Sequence, residues 1–262
     1  PWLVRRPLAA SLRLLEPALV RRVDGLICAD DEIAAAFRSC GRPMVTLFNY
    51  PSCEFIAQAA EFAPSVGRSP TIIYLGGIKR HRGAMLMLDA LAMVRARQPD
   101  VRLLLVGPCL PHGLESEMRG EIERRSLTDA VTMTGAVPFS RVGEYLAMAD
   151  VGWIPLPDVV KYRKNIPTKL FEYYAYGLPV VSSDLPPVRP YLAPGETGTL
   201  VVPDDPAAHA AALLALFAQP KLARGMGERG RQLVATKWNW QAMAVLLLDF
   251  YRQMLGGDPT VS

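Results

Sequence analysis

The sequence predicts an α/β protein built on a doubly wound parallel sheet, joined to part of a second unit of the same kind. Three observations carry that expectation. Short apolar runs alternate with helical patterns along the 262 residues, as they do in a parallel sheet with crossover helices. Nearly all of the apolar runs are continuous rather than alternating, which suits strands covered by helices on both faces. Several end in glycine (YLGG, LLVG, TMTG), where the backbone can pass close to a ligand.

GLICA (25–29) and MVTLF (44–48) are the first two candidate strands. EFAPSVGRSP (61–70) lacks periodicity and is rich in Pro, Gly and Ser, so it reads as a linker. Too little precedes it for a stable open sheet, and residues 1–60 read as the tail end of another α/β domain whose beginning lies outside this chain. Six more strands follow: TIIYLGG (71–77), VRLLLVG (101–107), AVTMTG (130–135), VGWIPL (151–156), PVVSS (179–183) and TLVV (199–202). Helical patterns fall between and after them, at 84–97, 114–126, 139–149, 204–217, 220–235 and 239–255. The first of these stops before Pro99. Ser140 with Glu144 makes a loose cap pattern. Asp204, Asp205 and Pro206 form a strong helix start. The expected domains are 1–62, 63–238, and a C-terminal helix at 239–262 that packs back toward the first domain.

Composition narrows the class. Half of the residues are hydrophobic, which places the chain among globular proteins. No apolar run approaches the ~18 residues of a membrane helix, and no signal peptide is visible. The net charge of +4 arises in residues 1–22, where Arg5, Arg6, Arg13, Arg21 and Arg22 face Glu16 alone. Two readings of LRLLEPALVRR stand: a helix with a solvated basic face, or a peripheral contact with an anionic membrane surface. No basic stripe with interleaved aromatics points to nucleic acid. Cys28, Cys40, Cys53 and Cys109 show no CxxC pair, and with His81, His112 and His209 they match no zinc spacing. Scattered cysteines of this kind suit reduced thiols in a cytoplasmic protein. Cys28 reads as core, and His81 and His112 as surface.

Two stretches hold chemistry-bearing residues. In YLGGIKRHRGAMLML (74–88) a strand ends at Gly76-Gly77, a basic loop follows, and a helix opens at Gly83-Ala84. Ligands of open parallel sheets bind at the carboxyl ends of strands, and Lys79, Arg80 and Arg82 stand ready for an anion. GGIKRHRG matches neither GxGxxG nor the P-loop, and a solvated turn is the plain alternative. In NIPTKLFEYYAYGLPVVSSD (165–184) Pro167 is expected in the first helical turn, with Asn165 or Thr168 as its cap and Gly177 at its end. Lys169, Glu172, Tyr173 and Tyr176 share one face by spacing, and Leu170, Phe171 and Tyr174 a packed one. The Lys169–Glu172 pair is either a surface ion pair worth under ~0.5 kcal/mol or part of a polar site. A third stretch, WNWQAMAVLLLDFYRQML (238–255), reads as a long amphipathic packing helix.

Taken in order, GGIKRHRG, VRLLLVG, VTMTGAV, ADVGWIPL, PTKLFEYYAYGLPVVSSD, GETGTLVVPDD and KWNWQAM resemble the C-terminal domain of retaining glycosyltransferases with two Rossmann-like domains (GT-B fold, glycosyltransferase family 4). The resemblance covers about 71–255, and residues 20–52 are similar to the end of that family's acceptor domain. It implies sugar transfer from a nucleoside-diphosphate sugar of UDP or GDP type to a sugar or lipid-linked acceptor, with retention and without metal or other cofactor, in cell-surface polysaccharide or glycolipid synthesis. Under it, Arg82 binds the diphosphate, Glu172 the donor ribose, and Ala136 and Val137 flank the base. Asn165, Pro167, Thr168 and Lys169 form the helix start near diphosphate and sugar, with Gly76, Gly77 and Gly107 lining the loops. Arg82, Lys169 and Glu172 would be the catalytic group. The chain departs from the family at two places: Lys164 stands where many members have a second glutamate, and Gly77 where a loop arginine is usual. With most of the acceptor domain outside the chain, donor binding without efficient transfer is expected. An epimerase of the same architecture and a non-catalytic nucleotide-binding module are the alternatives.

Overall fold

A computed structural model describes residues 15–62 and 68–256. Residues 15–20 are helical, and the expected basic helix otherwise lies outside the described residues, as does the middle of the expected linker. The chain forms two units. One runs to Tyr50 and resumes at Trp240, and the other spans Pro51–Asn239. The segment 51–62, expected with the first unit, therefore belongs to the second.

In the first unit β1 (Leu26–Cys28) and β2 (Met44–Thr46) pair in parallel, Leu26 opposite Met44. They are joined through α1 (Asp31–Phe37), which Asp30 caps by accepting the Ile33 N–H at 2.8 Å. Both strands lie inside the apolar runs that predicted them, and Cys28 is buried as expected. The last helix of the chain, α9 (Trp240–Met254), packs on this pair, with Met243 Sδ accepting the Phe48 N–H at 3.3 Å.

The second unit opens with α2 (Cys53–Ala59) and is built on six parallel strands: β3 (Thr71–Leu75), β4 (Arg102–Val106), β5 (Val131–Met133), β6 (Val151–Ile154), β7 (Val180–Ser183) and β8 (Gly198–Val201). Their spatial order is β5-β4-β3-β6-β7-β8. The chain thus works outward from β3 in one direction, then returns to lay β6 on its other side. The strand order reverses between β3 and β6, and in open parallel sheets ligands bind beyond the carboxyl ends of the strands at such a point. Ile72 to Leu75 and every residue of β6 and β7 are buried, which accounts for the apolar runs from which they were predicted, the buried Ser182 and Ser183 at the end of β7 excepted.

The helices are α3 (Ala84–Arg95), α4 (Leu114–Arg124), α5 (Val142–Ala147), α6 (Lys169–Ala175), α7 (Pro206–Ala218) and α8 (Pro220–Thr236). α3 packs against α7 and α6 against α8. Asp205 caps α7, accepting from the amides of Ala207 and Ala208, with Pro206 first in the helix. The cap expected at Ser140 does not form. That residue lies in a 3-10 turn, Phe139–Arg141, and α5 starts beyond it with no side-chain cap.

Between β6, β7 and α7 lies a buried polar chain. Trp153 Nε1–H donates to His209 Nδ1 at 3.0 Å, and Ser183 Oγ is 3.4 Å from Nε2. The indole donor makes Nδ1 the acceptor, which places the ring proton on Nε2. Burial holds the His209 pKa down to about 4, against a smaller opposing pull from Asp205 and Asp204. The folded state therefore binds fewer protons than the unfolded chain between pH 6.5 and about 4. The His209 contribution to stability is expected to be constant above pH 6.5 and to fall by ~3 kcal/mol as pH drops through that window. Denaturant unfolding at a series of pH values checks this. A curve that is flat in wild type, or equally steep in His209→Gln, would rule it out.

Candidate functional site

The site is built where β3 ends. Gly76 N–H donates to the Val106 carbonyl at 2.8 Å and Ile78 N–H to that of Pro108 at 2.9 Å, so the strand pairing runs on into the loop. Gly107 lies directly behind, where any Cβ would come within 2.4 Å of the Gly76 carbonyl oxygen. A 3-10 turn, Arg80–Arg82, then leads to Gly83, whose φ of +84° starts α3 with its Cα against the Pro155 carbonyl. Of the three cations expected to meet an anion, Arg80 turns away and pairs with Glu117 on α4. Lys79 is half-buried. Arg82 turns inward, and its Nε is buried with no hydrogen-bond partner. Burial alone would lower the Arg82 pKa, but nearby Tyr162 and Tyr74 outweigh it and the net shift is upward.

α6 supplies the other side. It is more deeply packed than spacing suggested. Tyr173, expected on the polar face, is fully buried, its hydroxyl accepting from Leu75 N–H at 2.9 Å and donating to the Trp153 carbonyl at 3.3 Å. That one side chain ties β3 to β6 at the point where strand order reverses. Thr168 is the N-cap residue but its side chain makes no capping bond, and neither does Asn165. Pro167 precedes the helix instead of lying in its first turn, and its carbonyl takes the Leu170 N–H while that of Thr168 takes the Phe171 N–H. The tight first turn leaves the amides of Thr168 and Lys169 outside its backbone hydrogen bonds. Gly177 follows the helix as expected, with Leu178 N–H returning to the Tyr173 carbonyl at 3.0 Å.

Lys169 and Glu172 are not a surface ion pair. The Lys169 ammonium is buried with no hydrogen-bond partner, 3.7 Å from the centroid of the Tyr74 ring. Burial, and then the charge of Arg82, lower its pKa to about 7, while Glu172 pulls the other way. Burial raises the Glu172 pKa, with Lys169 opposing. Gly76 and Gly77 leave room for these cations, since a Cβ at Gly76 would be 3.6 Å from Lys169 Nζ and one at Gly77 3.9 Å from an Arg82 guanidinium nitrogen. A third buried polar atom, the Tyr162 hydroxyl, lies near Arg82 without a hydrogen bond of its own. Buried polar groups are nearly always paired, so three orphans at one strand end mark a place made for a polar partner.

The remaining predicted residues flank this cluster. Gly135 bridges to Gly107 after β5, with Ala136 exposed and Val137 half-buried beyond it. Asn165 and Thr168 are exposed and Pro167 is buried. Neither Tyr74 nor Tyr162 was singled out from sequence, although Tyr74 is the one residue with a polar tip inside the aliphatic run IIYL. Among the described residues no cluster of three His, Cys, Asp or Glu side chains is placed to hold a metal ion. No helix among them is long and apolar enough to cross a membrane. A cavity of about 420 Å³ lies at the opposite, amino edge of the sheet, lined by Arg68, Asp150, Tyr176, Pro179, Phe217 and Arg224 among others. Arg68 there is engaged with Asp150 at 2.8 Å, and none of the predicted residues reaches it.

The sequence profile of glycosyl transferases group 1 matches residues 69–219. The chain is 30% identical over 187 residues to a D-inositol 3-phosphate glycosyltransferase of Segniliparus rotundus, an alignment covering 71% of this chain and 40% of that protein. It is 28% identical over 253 residues to a phosphatidyl-myo-inositol mannosyltransferase of Mycobacterium tuberculosis, covering 95% and 64%. The chain thus spans about half the length of the curated relatives it matches. Among solved structures it resembles a sucrose-phosphate synthase from Thermosynechococcus elongatus, with a TM-score of 0.74, 26% identity, and coverage of 94% of this chain and 62% of that one. With the profile spanning most of the six-stranded unit and its loop cations, this chain belongs to the glycosyl transferases of group 1 and has their GT-B fold.

Proposed function

We propose that the chain binds the diphosphate and ribose of a nucleoside-diphosphate sugar and forms the donor side of an enzyme that transfers the sugar to an acceptor hydroxyl. The observation that carries this reading is the gathering of Arg82 and Lys169, both with buried unpartnered nitrogens, beside a glycine loop where the strand order reverses. Cleavage of the sugar–phosphate bond leaves negative charge on the β-phosphate. Two preorganised cations and the amides ahead of α6 would stabilise that charge as it develops, doing electrostatically what a divalent metal does elsewhere. Glu172, one turn into the helix, would accept from the ribose diol. Desolvation favours its neutral form until a ligand hydroxyl replaces water. Ala136 and Val137 would flank the base. Retention of configuration, a UDP or GDP donor and a peripheral membrane contact belong to the same proposal, and a polyol or lipid-linked acceptor accords with the names of the relatives.

Calorimetric titration with UDP, GDP and ADP without metal tests the reading. One nucleotide is expected to bind, and Arg82→Ala and Glu172→Ala are each expected to weaken it by ~10–100-fold, the worth of a charged hydrogen bond. No binding to the folded chain, or binding unchanged in both variants, would refute the site.

A further inference from the structure

Resting on the donor-site reading above, we infer that Tyr74 is a positioning residue of this site: its ring holds the Lys169 ammonium beside the glycine loop with its three N–H donors uncommitted, ready to be taken up by a diphosphate. Tyr74 is fully buried in β3. Its hydroxyl donates to the Gly77 carbonyl at 3.2 Å, and its ring centroid is 3.7 Å from Lys169 Nζ. One side chain therefore touches both the loop backbone and the helix cation.

An ammonium taken out of water without a hydrogen bond is costly, and the face of an aromatic ring is what compensates it here. The choice of partner has a consequence. A carboxylate would bind the ammonium through directional, charge-assisted bonds, which an arriving phosphate would have to break. A ring face attracts the charge without using its donors. Glu172 acts on Lys169 electrostatically, yet the ammonium has no hydrogen-bond partner. Arg82 on the loop acts on it repulsively, and Tyr162 completes the surroundings of Arg82. Two cations that repel each other across a glycine turn are a poor arrangement empty and a good one around a dianion. The depressed Lys169 pKa is the same fact seen from the proton's side.

The test is a double-mutant cycle read by calorimetry with inorganic pyrophosphate and with the nucleotide that binds. Lys169→Met is expected to weaken binding ~100-fold and Tyr74→Leu ~10-fold. Tyr74→Phe keeps the ring and is expected to recover most of that loss, to within ~3-fold of wild type, as befits the one neutral hydrogen bond it lacks. The double variant Tyr74→Leu/Lys169→Met is expected to match Lys169→Met alone, because the tyrosine acts through the lysine. A merely structural role would instead multiply the losses to ~1000-fold. Multiplied losses, or a Tyr74→Leu indistinguishable from wild type, would overturn the inference while leaving the donor site standing. Failure of wild type to bind any of the probes would overturn both. Should Tyr74→Leu not fold, the wild-type chain still decides the matter by NMR. The Lys169 ε-methylene protons, assigned by their loss in Lys169→Met, should resonate upfield under the ring and shift when pyrophosphate is added. An unshifted resonance, or one that pyrophosphate leaves in place, would count against it.

Discussion

Gly83→Ala should destabilise the chain by ~3–5 kcal/mol and abolish nucleotide binding along with it. Two costs add at this residue. Its φ of +84° lies in the left-handed region, which costs an alanine ~1–2 kcal/mol. A Cβ there would also stand 2.2 Å from the Pro155 carbonyl oxygen, a backbone atom at the end of β6 that has no rotamer by which to escape. Relief requires the loop and the strand end to part. Arg82 precedes Gly83 directly, so any such movement displaces the guanidinium from the site. Gly113 is a control with the same kind of φ, +95°, and nothing within 4 Å of its Cβ. Gly113→Ala should cost only the conformational part, ~1–2 kcal/mol. Denaturant midpoints of the two variants decide the point. Equal losses would show that the contact with Pro155 is immaterial.

Lys169→Met should make the chain more stable while destroying the site. The folded pKa of Lys169 is about 7 and the unfolded value 10.5. Between them the unfolded chain binds more protons than the folded one, so wild-type stability rises with pH through that window. Below about pH 7 the folded protein carries the buried charge at full cost. The groups that face the ammonium are Tyr74 on β3, Arg82 on the loop, and Glu172 on its own helix, with Tyr162 and Tyr173 near them. Of these only Glu172 opposes the shift. The residue keeps some exposure, and solvent screening reduces the penalty. Methionine should therefore gain on the order of 1–2 kcal/mol at pH 6.5, an advantage that fades as pH approaches 10. The same substitution should cost ~100-fold in pyrophosphate binding. A cation that lowers stability and is needed for binding is what a site retained for function looks like. Loss of stability at pH 6.5, or a gain that does not depend on pH, would contradict this account.

Much of this was legible in the sequence, for reasons that differ by element. Seven of the eight strands lie within the apolar runs that predicted them and β8 starts one residue ahead of its run, because a strand buried on both faces has few polar positions to obscure it. α7 was marked at its start by Pro206 and by Asp205, which caps it, signals that act within one turn. The caps proposed at Ser140 and Thr168 failed because a 3-10 turn or a tight first turn satisfies the same amides through the backbone, and Asn165 stands three residues ahead of the N-cap. The helix Lys169–Ala175 was found, but its faces were misassigned. Spacing alone could not show that Tyr173 reaches between two strands.

The sequence by itself determined which segments are strands, where glycine ends them, and that Lys169 and Glu172 lie one turn apart on one short helix. Those are properties of near neighbours in the chain, where periodicity and turn chemistry act directly. Only the tertiary structure decided that β6 returns beside β3, that Arg80 leaves the site for Glu117, and that Lys169 rests on Tyr74. Each of these joins residues from separate elements, and which elements meet is set by the crossover order and the packing of the whole sheet, to which no local pattern refers.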